Sequence, residues 1–219
     1  MDFSATNLVN TSGVKNIIFD FGGVIININY HLTSQAFEKL GVRNFDTLFS
    51  QAAQSHLFDS IETGTISPAN FRNQLRRIIN LDITDEQLDN AWNAMLLDYP
   101  MHRLNFLLEI KKRYRTFLLS NTNKIHQDCY YASLYKQHGI VGLNNHFEKL
   151  YFSHEVGLRK PDPAIYKLVL DQNNLKPEET LFIDDSVQNL AIPQSLGIQV
   201  YHLANGEDVV DFAKKHLEY

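Results

Sequence analysis

The chain has one cysteine in 219 residues and lacks a long hydrophobic run. The single cysteine, Cys129, cannot form an internal disulfide, which favours a reducing, cytoplasmic setting. No stretch approaches the roughly 18 consecutive apolar residues that a membrane-spanning helix requires. The opening segment, MDFSATNLVNTSGVKN, has no apolar stretch typical of a secretory signal. We therefore expect a cytoplasmic protein that has no membrane partner.

Positive charge is also scarce. The 20 Lys and Arg side chains are outnumbered by 25 Asp and Glu, and the net charge is −5 without a basic block. This balance disfavours nucleic acid as a main partner. Hydrophobic residues make up 44% of the chain and charged residues 21%, which indicates a folded core and not disorder. The sequence predicts one domain, with or without an insertion, and gives no indication of its oligomeric state.

Five short apolar runs predict strands that are buried on both faces, as in a parallel sheet. Helical patterns, including Ala164–Gln172 and Gln188–Leu196, lie between several of them. This alternation predicts an α/β fold with a doubly wound parallel sheet. The predicted strands are Asn16–Asp20, Thr116–Ser120, Lys149–Ser153, Thr180–Asp184 and Ile198–His202.

The segment between the first two predicted strands has helical periodicity instead. Ser67-Pro68 is typical of a helix start, and Thr84 with Gln87 fits a capping box. Trp92 lies on an apolar helical stripe, so we interpret it as a core residue and not as part of a binding site. We divide the chain into a loose leader at residues 1–15, an α/β core at 16–29 and 99–219, and an all-helical insert at 30–98.

Acidic and hydroxyl side chains stand at the ends of the predicted strands. They are Asp20, Ser120, Ser153 and the pair Asp184-Asp185. In an open parallel sheet the carboxyl ends of the strands share one edge, where ligands bind. Three carboxylates at this edge would repel one another without a cation, and oxygen-only ligands suit Mg²⁺. Any one of these acids alone would more simply be a turn residue.

Other residues near these strand ends could bind an anion. Gly22 and Gly23 follow the first strand, and backbone N–H groups in such a turn can bind a phosphate. Asn121 adds amide donors after the second strand. Lys160 lies on a proline-rich loop, where its ammonium could serve a phosphate or an acyl phosphate. Each signal is weak alone, because such glycine pairs occur in plain turns and most lysines are solvated.

Taken in order, four segments resemble the motifs of the haloacid dehalogenase superfamily. They read IIFDFGGV, LLSNTN, GLRKPDPAIY and LFIDDSVQN. The resemblance extends from about Asn16 to the C-terminus and includes the helical insert, where that family carries a cap. It implies a Rossmann-like core with an inserted all-helical cap. Among the members, bacterial α-glucose-1-phosphate phosphatases look most similar, and the phosphatase domain of soluble epoxide hydrolase is a more distant likeness.

The resemblance also implies an activity and a role for each matched residue. It implies an Mg²⁺-dependent phosphatase that acts on a small phosphorylated metabolite, such as glucose 1-phosphate, through an aspartyl phosphate. The implied catalytic residues are Asp20, the nucleophile, and Lys160. Phosphate would be bound by Ser120, Asn121, Gly23 and Lys160. Mg²⁺ would be bound by Asp20, the Gly22 carbonyl, Asp184 and Asp185, and Asn189 would complete the acidic loop.

The chain departs from the family pattern at Gly22, where the usual phosphatase motif has a second aspartate that serves as general acid and base. Loss of such a group typically costs ~10²–10⁴-fold in rate. We therefore expect anomeric or activated phosphates, which have better leaving groups, to be preferred over primary-alcohol phosphates. His31 is a candidate substitute acid, although a place at a helix start explains it more simply.

Two alternatives remain open. A chain without the second aspartate could be a catalytically impaired protein that binds phosphate or a partner. It could also be a metal-free 2-haloacid dehalogenase, a class that likewise lacks this aspartate. The pair Asp184-Asp185 disfavours the dehalogenase, because a metal-free site has little reason to concentrate negative charge.

Overall fold

A parallel sheet of five strands, in the order β3-β2-β1-β4-β5, forms the centre of the molecule. The structure is a computed structural model that describes residues 11–43, 45 and 56–218. The strands are β1 (Asn16–Phe19), β2 (Arg115–Ser120), β3 (Lys149–Phe152), β4 (Thr180–Asp184) and β5 (Gln199–His202). This sheet confirms the predicted α/β fold, and its strands match the five apolar runs.

Both faces of the sheet are covered, which explains why the strands are continuously apolar. In β1, Ile17 and Phe19 belong to one buried hydrophobic cluster, whereas Ile18 belongs to another on the opposite face. Phe19 pairs with Leu118 of β2 and Ile183 of β4 in the parallel register. The carboxyl ends of β1, β2 and β4 therefore lie side by side at one edge.

Helices follow β1 in the insert, as its periodicity predicts. Those with described bounds are α1 (Tyr30–Lys39), α2 (Leu57–Glu62), α3 (Pro68–Ile79) and α4 (Asp85–Asn93). Ser67 caps α3 by accepting a hydrogen bond from the N–H of Asn70, and Thr84 and Gln87 form a reciprocal capping box at α4. Their apolar faces share a hydrophobic cluster of their own, in which Trp92 is buried. Trp92 is thus a core residue, as predicted, while the division at residues 29 and 99 stays a prediction.

The remaining helices flank the sheet or connect its strands. They are α5 (Met101–Ile110), α6 (Lys124–His138), α7 (Ser153–Val156), α8 (Pro163–Asn173), α9 (Ala191–Ser195) and α10 (Val209–His216). The helix expected at Gln188–Leu196 is interrupted: Val187–Asn189 forms a 3₁₀ turn before the short α9. A continuous helix over Gln188–Leu196 would need the backbone N–H of residue 193 to donate to the carbonyl of Asn189, and Pro193 has no such N–H. In the described part of the chain, no helix is both long and apolar enough to cross a bilayer.

The predicted leader differs from expectation at its last residues. Its residues 1–10 lie outside the described residues. Val14 is buried in the main hydrophobic cluster. The N–H of Lys15 donates to the carbonyl of Glu179 at 2.9 Å, and its own carbonyl accepts from the N–H of Arg115 at 3.0 Å. Residues 14 and 15 are therefore packed against the sheet, because one is apolar and the other extends the backbone hydrogen bonding beside β1.

Candidate active site

The carboxyl ends of the central strands open into a cavity of about 190 Å³ beneath the helical insert. Asp20 follows β1 and Ser120 ends β2, and both line the cavity, as does Asp185 just beyond β4. The insert contributes the opposite wall, which includes Tyr30 and Glu62. Strand-end residues that are far apart in the sequence thus converge at one place, as the topology rule for parallel sheets predicts.

Lys160 lies at the centre of this convergence. Its Nζ donates to Oδ1 of Asp20 and to Oδ2 of Asp184, both at 2.6 Å, and its side chain is 1% exposed. Burial pulls the pKa of the ammonium down, but the carboxylates of Asp184 and Asp20 outweigh this and raise the pKa above its ordinary value. The structure therefore holds a charged ammonium between two carboxylates.

Three carboxylates surround that single ammonium. Oxygen atoms of Asp20, Asp184 and Asp185 lie within 4.8 Å of one another. Burial, with the like charges of Asp184 and Asp185, raises the pKa of Asp20 to about 7, against the opposing charge of Lys160. Burial and the adjacent Asp184 raise the pKa of Asp185 to about 6. The excess of buried negative charge and the oxygen-only donor set fit a hard divalent cation such as Mg²⁺.

Asp184 is held more rigidly than the other two acids. It is fully buried and accepts hydrogen bonds from the N–H of Ser186 at 2.8 Å and from Nδ2 of Asn189, which is 3.1 Å from both carboxylate oxygens. With Lys160, these donors fix the orientation of the carboxylate. Asp185 is only partly buried and lines the cavity, so its carboxylate is the more accessible of the pair.

The two glycines after Asp20 have different surroundings. Gly23 has φ +73°, and a Cβ there would lie 2.2 Å from Oδ2 of Asp185, so any side chain would displace that carboxylate. At Gly22 a Cβ would lie 2.8 Å from Cδ1 of Ile28. Ile28 therefore occupies the space that the side chain of an aspartate at position 22 would enter. No sequence pattern singles out Ile28, which stands between two asparagines after the apolar run has ended.

Asn121 makes side-chain contacts other than those expected from the sequence. Its Oδ1 accepts from the backbone N–H of Lys160 at 2.8 Å, and its Nδ2 donates to the carbonyl of Lys160 at 2.9 Å. The side-chain amide thus binds the loop that carries the lysine, and the phosphate-binding role predicted for Asn121 stays a prediction. Neighbouring Ser120 lines the cavity, where its predicted phosphate role stays open.

Ser153, also expected at the sheet edge, does not line the cavity. Its side chain is fully buried, and its Oγ donates to the carbonyl of Thr122 and accepts from the N–H of the same residue, both at 2.9 Å. These bonds connect the carboxyl end of β3 to the segment after β2. The hydroxyl therefore has a structural role that its position in the sequence could not reveal.

Two histidines, the candidate acid His31 and His126, have surroundings that do not favour a general acid in this cavity. His31 does not line this cavity, and its N–H donates to Oδ1 of Asn29 at the start of α1. His126 does line it, but its ring stacks on Trp92 at a centroid distance of 5.2 Å, and its Nδ1 lies 2.7 Å from Oδ1 of Asn93. Burial lowers the pKa of His126 to about 3, so the ring is neutral at physiological pH.

An ion-pair cluster connects the loop that carries Lys160 to helix α2 of the insert. Arg159, next to Lys160, contacts Asp59 through Nη1 and Glu62 through Nε, which is 2.9 Å from Oε2. Burial raises the pKa of Glu62, against the effect of Arg159. Arg159 and Glu62 both line the cavity. Neither residue was predicted from the sequence, where the one available signal was the adjacency of Arg159 to Lys160.

The chain is similar to known proteins both in sequence and in structure. Residues 14–197 match the family model of haloacid dehalogenase-like hydrolases. The D-ribitol-5-phosphate phosphatase of Bacteroides thetaiotaomicron is 35% identical over 195 residues, which cover 89% of this chain and 94% of the relative. A haloacid dehalogenase family enzyme from the same organism, solved with magnesium and inorganic phosphate, superposes with a TM-score of 0.82 at 37% identity, covering 91% of this chain and 98% of the other. The structure of a predicted haloacid dehalogenase-like hydrolase from Porphyromonas gingivalis superposes with a TM-score of 0.83 at 31% identity. This match covers 94% of this chain and 99% of the other.

Proposed function

The chain belongs to the haloacid dehalogenase-like hydrolases and is a phosphatase, and on that premise we propose that it removes phosphate from a small phosphorylated carbohydrate with the help of Mg²⁺. The observation that carries the proposal is the ammonium of Lys160, 2.6 Å from both Asp20 and Asp184, with Asp185 in the same cluster. This arrangement joins a nucleophile, a cation for the phosphoryl group and a set of carboxylate ligands for a metal ion.

The charge balance supports a divalent cation. Three ionised carboxylates and one ammonium carry two net negative charges, which would repel a phosphate dianion in a buried cavity. We propose that Asp20, Asp184, Asp185 and the carbonyl of Gly22 hold Mg²⁺. When bound, Mg²⁺ offsets this negative charge and the charge that develops on the phosphoryl oxygens.

We propose that Asp20 attacks phosphorus with one carboxylate oxygen and that the bond from phosphorus to the carbohydrate oxygen breaks. The departing alkoxide takes a proton from water, because Gly22 supplies none. Water then attacks the aspartyl phosphate at phosphorus, which releases inorganic phosphate and restores the carboxylate of Asp20. The ammonium of Lys160, the hydroxyl of Ser120 and the nearby backbone N–H groups stabilise the phosphoryl oxygens.

Two substrates represent the carbohydrate class. Glucose 1-phosphate has the better leaving group, which favours it in a site without an acid at position 22. The 35% identical relative is named for ribitol 5-phosphate, the phosphate of a primary alcohol, which favours that compound instead. A comparison of the two therefore tests whether leaving-group quality or the shape of the carbohydrate limits turnover.

The experiment is phosphate release from glucose 1-phosphate, glucose 6-phosphate, ribitol 5-phosphate and p-nitrophenyl phosphate in the presence of Mg²⁺. Asp20→Asn and EDTA should each abolish release, while Asp82→Asn, which removes an exposed acid, should not. Release that survives both Asp20→Asn and EDTA would contradict the proposal. Dechlorination of a 2-haloacid that is indifferent to EDTA would favour the dehalogenase alternative.

The impaired-binding alternative has its own test. If no compound releases phosphate, Gly22→Asp is combined with Ile28→Val, because the Ile28 methyl at 2.8 Å obstructs a side chain at position 22. Activity gained by the double variant would mean that the site is assembled but lacks its acid and base. Phosphate that stabilises the wild-type chain without turnover would then favour a binding role.

A further inference from the structure

A charged wall, formed where α2 of the insert meets Arg159, lines part of the cavity that contains Asp20 and Lys160. Arg159 is positioned between Asp59 and Glu62 of α2, with its Nε 2.9 Å from Oε2 of Glu62. Its guanidinium is thus already paired with two carboxylates. Arg159 and Lys160 are the Lys and Arg residues among the described residues that line this cavity, and Lys160 is likewise engaged by two acids.

This wall keeps a net negative charge. One guanidinium offsets one of the two carboxylates, and Glu62, unlike Asp59, lines the cavity. Asp59 also contacts the imidazole of His56, whose Nδ1 is 3.1 Å from Oδ2, but His56 does not line the cavity. An incoming ligand therefore meets an acidic wall, and every Lys or Arg that the described residues place around the cavity is already paired with acids.

We propose that Glu62 is a specificity-determining residue: it favours phosphate monoesters with a neutral polyhydroxyl tail and discriminates against those that carry a carboxylate. The inference rests on the proposed phosphatase function and deepens it. A carboxylate of the substrate would be confined near Glu62 in a cavity of about 190 Å³, where like charges repel at reduced dielectric. Hydroxyl groups can instead donate hydrogen bonds to the same carboxylate.

The test uses pairs of substrates that differ only in charge at the far end. Glycerol 3-phosphate is paired with 3-phosphoglycerate, and glucitol 6-phosphate with 6-phosphogluconate, so that two chain lengths are covered. The value of kcat/KM is measured at pH 8 with Mg²⁺ for wild type, Glu62→Gln and Glu38→Gln. Glu38 is exposed on α1, and its substitution removes the same charge outside the cavity.

We expect wild type to prefer the neutral member of each pair, and Glu62→Gln to reduce that preference about tenfold in at least one pair, mainly through a lower KM for the carboxylate. Glu38→Gln should leave the preference unchanged. An unchanged preference in Glu62→Gln would overturn the proposal. Equal losses for both members of a pair would also overturn it, because they would indicate that Glu62 only positions the insert.

A binding readout separates this inference from the proposed function. If no compound releases phosphate, the proposed function fails, and the same pairs are compared by their shift of the thermal midpoint in MgCl₂. Glu62→Gln should then increase the shift produced by 3-phosphoglycerate or 6-phosphogluconate relative to the neutral partner. Equal shifts in the variant and wild type would refute the role of Glu62 directly.

Discussion

Replacement of Asp185 by Asn should stabilise the metal-free protein at pH 8. Its carboxylate is partly buried beside Asp184, and the pKa rises from 3.8 to about 6. A carboxyl group whose folded pKa is raised supports the fold while it is protonated. Its contribution falls as the pH rises through the folded value, so metal-free wild type should lose stability between about pH 4 and pH 6.

The magnitude follows from the size of the shift. Roughly two pKa units at about 1.4 kcal/mol each give an upper value of about 3 kcal/mol. Because Asp185 remains partly accessible, solvent screens part of this energy, and we expect a gain of about 1–2 kcal/mol from Asp185→Asn at pH 8. At pH 5 the carboxyl is still mostly protonated in the folded state but already mostly ionised in the unfolded chain, so about half of this gain should be present.

The assay is urea unfolding in EDTA and in MgCl₂, each at pH 5 and pH 8. Wild type should gain stability from MgCl₂ at pH 8, because a ligand that binds only the folded state stabilises it. Asp185→Asn should lose most of this gain. Asp82→Asn serves as the matched control, because Asp82 is exposed and outside the cluster.

Two results would refute this reasoning. One is an Asp185→Asn variant that is less stable than wild type in EDTA at pH 8. The other is a gain that is equal at pH 5 and pH 8, which would mean that the substitution acts through packing and not through charge. Full retention of the MgCl₂ effect by the variant would separately remove Asp185 from the proposed ligand set.

Three further substitutions test other features of the site. Gly23→Ala should abolish the stabilisation by MgCl₂ in urea unfolding, because its Cβ would lie 2.2 Å from Oδ2 of Asp185. Asn121→Ala should lower kcat/KM about tenfold in phosphate release, because it removes two hydrogen bonds that position Lys160, worth about 0.5–1.5 kcal/mol each. Trp92→Ala should destabilise the protein by about 3–5 kcal/mol in urea unfolding, because it leaves a cavity in the insert's core.

Each of these three substitutions has a control variant or a result that would contradict the prediction. Gly157 has φ +72°, and a Cβ there would meet nothing within 4 Å, so Gly157→Ala reproduces the backbone cost of Gly23→Ala without the collision. Equal effects of the two on MgCl₂ binding would contradict the steric argument. Asn144→Ala, at an exposed asparagine, is the control for Asn121→Ala. Wild-type stability in Trp92→Ala would contradict the core assignment.

Local sequence patterns were sufficient to predict the fold class and the positions of the strands. The strands were predictable because each is a short, nearly continuous apolar run, and burial on both faces of a parallel sheet requires such a run. Ile18, for example, is buried against one face of the sheet while Ile17 and Phe19 are buried against the other. The capping box at Thr84 and Gln87 was equally predictable, since its residues are three apart and its hydrogen bonds are local.

The packing of the last residues of the predicted leader was not predictable in the same way. Val14 and Lys15 belong to no periodic pattern in the sequence. They are held in place by contacts with residues that are distant in the chain, such as the hydrogen bond from the N–H of Lys15 to the carbonyl of Glu179. The same holds for Ser153, whose hydroxyl is explained only by its two hydrogen bonds with Thr122. A polar side chain at a strand end can face a ligand or a neighbouring backbone, and the choice depends on tertiary packing.

The convergence of Asp20, Asp184 and Asp185 could be predicted from the order of apolar runs and acids, because parallel strands bring their carboxyl ends to one edge. The surroundings of these acids could be known only from the folded molecule. Ile28 fills the space beside Gly22. The side chain of Asn121 hydrogen-bonds to the backbone of Lys160, which lies 39 residues later in the chain. These contacts depend on how the insert and the loops pack, and no local periodicity records that packing.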